Sequence, residues 1–258
     1  MIQSLSYSSI SLYLNCGEAW RRKYVLQEPQ PSSIQLMFGS AIHGSIEEYL
    51  SDAVQGRAQY SPTDLFPYKW RACLERDGAS VQWGNDTPQQ HENEGIRILG
   101  TRDVQQMIDK ITPLVDEQGA YIERQVILHV PGVPVPVIGY IDLITADGIP
   151  GDFKTSSARW TQDKAESELQ PLFYLAALHQ MGHVVPGNRF RHFIITKTKK
   201  PEAQVIEHSH TWTEIMWLFG LIRRAWEGIS REVFPVNPGA WLCSSKYCAA
   251  WQQCRGRR

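Results

Sequence analysis

No uninterrupted apolar run in the chain approaches the roughly 18 residues needed to cross a bilayer, so no membrane partner is expected. The opening stretch MIQSLSYSSISLYLNC lacks a basic region followed by an apolar block and does not read as a secretory signal. Neither sign of charge dominates: 26 Lys and Arg stand against 27 Asp and Glu, so no global basic bias announces a nucleic-acid partner. Cysteine is scarce, at 5 residues, and internal repeats and the phosphate-binding motif G-x-x-x-x-G-K-[ST] are missing, which argues against a helicase motor. What is present, 258 residues of which 42% are hydrophobic and 21% charged, is enough to bury a full core. The expectation is a cytoplasmic protein whose residues 1–258 form one domain.

Hydrophobic periodicity divides the chain. Residues 8–25 read as a short helix followed by a basic turn, and Phe38 to Ala53 as a helix with Ile42, Ile46, Tyr49 and Leu50 on one face. The stretch from Gln55 to Glu94 holds Pro62, Pro67, Gly78, Gly84 and Pro88 and reads as short helices and loops, with helical periodicity returning over Ile96 to Glu117. Together these form a helical insertion at about 52–118. From Tyr121 the period becomes two, and YIERQVILHV, VPVIGYIDLIT and IPGDFKT read as a β-meander. A helix from near Lys164 to Gly182, strands RFRHFIITKT and AQVIEHSHTW, and a last helix TEIMWLFGLIRRAWEGI follow, then a cysteine-rich segment at 235–258. This order predicts an α/β (α+β) fold with a central mixed sheet flanked by helices.

Charge is unevenly placed. Arg21-Arg22-Lys23, Arg189 with Arg191, Lys197 to Lys200, and Arg255, Arg257 and Arg258 form basic clusters, readable either as solvated faces or as a phosphate-binding groove. More telling are Asp142, Asp152 and Lys154 in GYIDLITADGIPGDFKT. On a strand, Asp152 and Lys154 share a face while Phe153 points the other way. A hairpin turning at Ala146-Asp147-Gly148 brings Asp142 alongside. Two close carboxylates raise each other's pKa unless a cation lies between them, and a hard ion such as Mg²⁺ or Mn²⁺ takes oxygen ligands of this kind. The bland alternative is an exposed hairpin face with a surface ion pair. His43 and Glu47, one turn apart, and Gln170 and Tyr174, also four apart, add polar groups to otherwise apolar helices.

Taken in order, Gly39/His43, Gly139/Asp142, Asp152/Lys154 and Gln170/Tyr174 resemble the pattern of the PD-(D/E)XK nucleases, and within them the RecB-type branch. The resemblance runs from about Ser8 to Cys254. It implies a restriction-endonuclease-like core in which His43, Asp142, Asp152 and the Phe153 carbonyl bind Mg²⁺ or Mn²⁺. It further implies that Lys154 is catalytic and that Gln170 and Tyr174 position the DNA backbone and the lysine. Glu47 and Glu123 are weaker carry-overs.

Of the cysteines, Cys73 stands alone and is expected to be buried or incidental. Cys16, Cys243, Cys248 and Cys254 pair one early thiol with three late ones, a set that favours metal over disulfides and suits Zn²⁺ or a [4Fe-4S] cluster, spacing alone not deciding. The segment SYSSISLYLNCGEAWRRKYV resembles the opening of a subset of RecB-type nucleases, including the AddB subunit and the CRISPR adaptation nuclease. That resemblance implies a [4Fe-4S] cluster joining the N- and C-terminal ends. Gly17, where proline is usual, and four residues between Cys243 and Cys248, where two are commoner, depart from the pattern and keep zinc open.

The expected function is a metal-dependent DNA exonuclease acting on single-stranded DNA with free ends, with Trp20, Trp160 and Trp251 as candidates to stack bases. The alternatives are a DNA-end-binding accessory subunit of a recombination or CRISPR adaptation complex, and an endonuclease of the restriction type.

Overall fold

The computed structural model describes residues 2–30, 32–81 and 83–255; Arg257 and Arg258 of the basic tail lie outside them. In chain order the elements are β1 (Leu5–Ser6), α1 (Tyr7–Asn15), α2 (Gly17–Tyr24), α3 (Ile34–Val54), α4 (Pro62–Asp77), α5 (Pro88–Leu99), α6 (Arg102–Asp109), β2 (Val115–Asp116), β3 (Gly119–Ala120), β4 (Ile122–Leu128), β5 (Val137–Ile144), β6 (Pro150–Ser156), α7 (Gln162–Ser167), α8 (Gln170–Gln180), β7 (Arg189–Thr196), β8 (Ala203–Ser209), α9 (Trp212–Ser230) and α10 (Trp251–Cys254). The chain divides into two compact units. One comprises Ser32–Val126 and Tyr140–Thr211, the other Met1–Pro31, Ile127–Gly139 and Trp212–Arg258.

The first unit holds the mixed sheet that the periodicity predicts. β5 and β6 are antiparallel, with Leu143 opposite Gly151; β6 and β7 are parallel, and β7 and β8 antiparallel. The parallel step needs a crossover, which α7 and α8 supply. Alternation along β6 then sorts its side chains. Phe153 joins Leu143, Phe193 and Ile195 in the core built with Phe38, Ile42 and Ile46 of α3, while Asp152 and Lys154 face the other way. Cys73 is buried in this same core, as its isolation in sequence suggested.

The segment between 52 and 118 is more ordered than the glycines and prolines imply. Ser61 and Thr87 each close a capping box, with Asp64 and Gln90, so that α4 and α5 start cleanly with Pro62 and Pro88 inside their first turns. Helical periodicity does not persist to Glu117. α6 stops at Asp109, Pro113 makes a bridge with Thr145, and a tight hairpin turns through Gly119 at φ 108°. The single helix expected from Lys164 to Gly182 is two, because Pro171 has no amide hydrogen to continue a helix and instead opens a new one.

In the second unit, β1 lies parallel to the start of β5, with Leu5 opposite Val137. The basic triplet, expected in a turn that closes the stretch 8–25, falls inside α2. There Arg21 and Arg22 pair with Glu18 at 2.7 and 2.8 Å. Among the described residues no helix is long and apolar enough to cross a membrane.

Candidate active site

Helix α3 is capped by Ser33, whose side chain accepts the Leu36 amide, and carries His43 and Glu47 one turn apart. Gly39 lets it approach the sheet: a Cβ there would sit 3.3 Å from Thr155 Oγ1. The ligand atoms of His43, Glu47 and Asp142 all lie within 4.8 Å of one another. His43 Nδ1 is 3.8 Å from Asp142 Oδ2, and that same oxygen accepts the Phe153 amide at 2.7 Å. The hydrogen bond stitches β5 to β6 where their regular pairing has ended. It also uses Phe153, expected to offer its carbonyl, as a donor through its N–H, with its ring 5.2 Å from that of Phe193.

From Asp152 a polar chain runs across the sheet to α8. Lys154 Nζ lies 2.6 Å from Asp152 Oδ2 and donates to Gln170 Oε1 at 2.7 Å. Gln170 Nε2 donates to the Tyr174 hydroxyl at 2.9 Å, which in turn donates to the Tyr140 carbonyl at 2.5 Å. The lysine is thereby fixed by an acid on one side and an amide on the other. The terminal acceptor was not legible in the sequence, because a backbone carbonyl carries no residue-type signal.

Burial dominates the electrostatics. Asp142 and Asp152 are 8% and 2% exposed, and their carboxyls are both pushed up to about 6, chiefly by desolvation, with Asp142 adding to the effect on Asp152. Glu47 rises to about 9, by burial first and then by the charge of its neighbour Glu123. Burial lowers His43 to about 4, so its imidazole is neutral at pH 7, the form that binds metal. Burial also opposes the charge on Lys154, but the Asp152 carboxylate outweighs it and the net shift is upward.

Lys154 is the positive charge that faces Asp152, whereas Asp142 has only the neutral imidazole of His43 beside it. Asp152 Oδ2 is close to Lys154 without hydrogen-bond alignment, which leaves it a buried oxygen with no hydrogen-bond partner. A neutral imidazole, carboxylates facing one another and an orphaned carboxylate oxygen fit a hard divalent cation.

The four cysteines expected to bind together are free thiols and line one pocket of the second unit. Burial raises the Cys248 thiol, and Cys16, Cys243 and Cys254 each add to that rise. One base-stacking candidate is excluded by burial. Trp20 cannot stack a base: it is fully buried, its indole N–H donating to Ser9 Oγ at 2.9 Å. Trp160 is partly buried beneath Lys164 Nζ, 4.2 Å from its ring centre. Arg189 and Arg191 are engaged with Glu207 at 3.0 and 2.7 Å, and Arg191 also with Asp147 at 2.6 Å.

A family model described as the PD-(D/E)XK nuclease superfamily matches residues 4–255. No curated protein matches the chain. Among solved structures, a "Putative exonuclease" from Eubacterium rectale superposes with a TM-score of 0.58 at 10% identity, covering 93% of this chain and 87% of that one. At that identity the likeness speaks for the fold alone. The structure of SSO0001 aligns over 94% of this chain and 91% of that chain at 14% identity, and its TM-score of 0.32 carries no argument.

Proposed function

The chain belongs to the PD-(D/E)XK nuclease superfamily, and from that premise we propose that it is a Mg²⁺- or Mn²⁺-dependent deoxyribonuclease of the RecB-type branch, an exonuclease on single-stranded DNA ends. The observation that carries this reading is the meeting of His43, Asp142, Asp152, Lys154 and Gln170 in one polar cluster, the two aspartates buried and the rest partly so. An inert scaffold would gain nothing by enclosing two acids whose charges burial opposes.

In this reading His43, Asp142 and Asp152 hold the ion, with the Phe153 carbonyl as a further ligand. When bound, the ion supplies a water of lowered pKa and positive charge for the phosphate. Lys154 presents its ammonium to the phosphoryl oxygens as negative charge builds during in-line attack, while the new oxygen–phosphorus bond forms and the bond to the leaving sugar oxygen breaks. Gln170 and Tyr174 keep the ammonium aimed. Removing the positive charge at Lys154 should therefore lower the rate without emptying the ion site. Lys154→Ala, assayed on labelled single-stranded DNA with Mg²⁺ or Mn²⁺, is expected to lose about 100-fold or more in cleavage, as loss of a charge-stabilising donor commonly does. Undiminished cutting would remove the proposed site; binding without any turnover by the unsubstituted protein would favour the accessory-subunit reading.

Cys16, Cys243, Cys248 and Cys254 are assigned to a [4Fe-4S] cluster. The set of one early and three late cysteines, which the resembling nucleases share, supports a cluster over a single Zn²⁺. Arg255 Nη2, 3.5 Å from Cys243 Sγ, is placed to donate to a ligating sulfur. A reducing cytoplasm is the compartment in which such a set stays reduced.

A further inference from the structure

Tyr140 lies two residues before Asp142 on β5, and no step above uses its side chain. It is 53% exposed, although Ile141 and Asp142 beside it are 0% and 8% exposed. Strand alternation puts Tyr140 and Asp142 on the same face, about 6.6 Å apart along the strand. The residue is held at two points. Gln125 Nε2 donates to its hydroxyl at 3.2 Å, and its carbonyl accepts Tyr174 OH at 2.5 Å, the end of the chain that begins at Lys154. Tyr60, Tyr68, Trp212, Trp217, Trp241 and Tyr247 are comparably bare, but none lies on an element that carries a residue of the acid site. A scaffold has no reason to leave a pinned aromatic ring half bare beside buried carboxylates.

The ligand that matches is a nucleobase. A ring of this kind offers a π-face to an unpaired base of any sequence, and stacking of this sort is tolerant because every base has a face to present. A base inside a duplex has both faces covered by its neighbours. We infer that Tyr140, held by Gln125, is the platform on which an unpaired base next to the scissile phosphodiester stacks, and that it makes the site select single strands. The inference rests on the nuclease reading for its location, but not for its test.

The test is equilibrium binding of a fluorescent single-stranded oligonucleotide, with one abasic site walked along it. Ca²⁺ replaces Mg²⁺ as an oxygen-binding ion of looser geometry. Tyr140→Leu is expected to weaken binding about 5- to 150-fold, the range of base–aromatic stacking. It should also erase the penalty that the unsubstituted protein shows for an abasic site at one position. Tyr140→Phe should stay within about 3-fold, and duplex binding should be the same for all three proteins. Unchanged single-strand binding in Tyr140→Leu, a persisting abasic penalty, or an equal loss on duplex would overturn the inference. If the unsubstituted protein cut nothing with Mg²⁺ or Mn²⁺ yet lost its abasic penalty on Tyr140→Leu, the nuclease reading would fall and the stacking platform would stand. If Lys154→Ala abolished cutting while Tyr140→Leu changed nothing, the reverse would hold.

Discussion

A carboxylate inside a protein persists only where something answers its charge. Asp142 is held by the Phe153 amide, yet burial keeps its carboxyl near 6, so at neutral pH the ionised form is carried at the expense of stability. Asp142→Asn keeps an acceptor for that amide and removes the charge. The metal-free variant is expected to gain on the order of 1–3 kcal/mol in urea unfolding at pH 7 while losing the rise in Tm that Mn²⁺ gives the unsubstituted protein. An intact Mn²⁺ shift would exclude Asp142 as a ligand. His192 makes the complementary case. It is fully buried, accepts from or donates to His208 across 3.1 Å, and burial, then the His208 charge, pushes it down to about 3. An unfolded histidine titrates near 6.5. Below that pH the unfolded chain takes up a proton that the folded chain refuses until about 3. Stability should therefore fall as pH drops through this window, by about 1.4 kcal/mol per unit from this group. Comparing urea midpoints of the unsubstituted protein and His192→Gln at pH 7 and pH 5 checks it, the variant showing the shallower loss.

At the scale of elements, the legible features were those set by local rules. Asp152, Phe153 and Lys154 sort to opposite faces of β6 because a strand alternates, and His43 and Glu47 share a face of α3 because a helix turns every 3.6 residues. The region between α3 and β4 was less legible because a glycine there can serve packing rather than a turn, which composition does not show. Gly95 is such a case: a Cβ there would meet the Phe66 ring at 2.1 Å, so the glycine is what lets α5 close on α4. Gly95→Ala is expected to destabilise by about 1–3 kcal/mol through overpacking, despite alanine's better helix propensity, as read from the shift in urea midpoint. A neutral or stabilising result would mean that Phe66 has room to turn aside.

At the scale of the whole molecule, one compact unit is assembled from the beginning, the middle and the end of the chain. Thiols from both ends meet in it, Cys16 at the junction of α1 and α2 and the other three around α10. A cluster held there closes a loop of nearly full chain length, and such closure restricts the unfolded state more the longer the loop. Cys16→Ala is expected to purify without colour and with poor solubility. Anaerobic absorption spectra with iron and zinc analysis of both proteins test this, and a brown, stable variant would count against the assignment.

The sequence by itself determined the mixed sheet with its flanking helices, the four ordered motifs and the candidate thiol set, because periodicity and residue type are written one position at a time. Only the tertiary structure decided which carboxylate stands with which. It set Glu47 with His43 and Asp142, gave Asp152 to Lys154, buried Trp20 and left Tyr140 bare. Those outcomes depend on how elements distant in sequence approach one another, and desolvation and charge pairing act on that distance rather than on order along the chain.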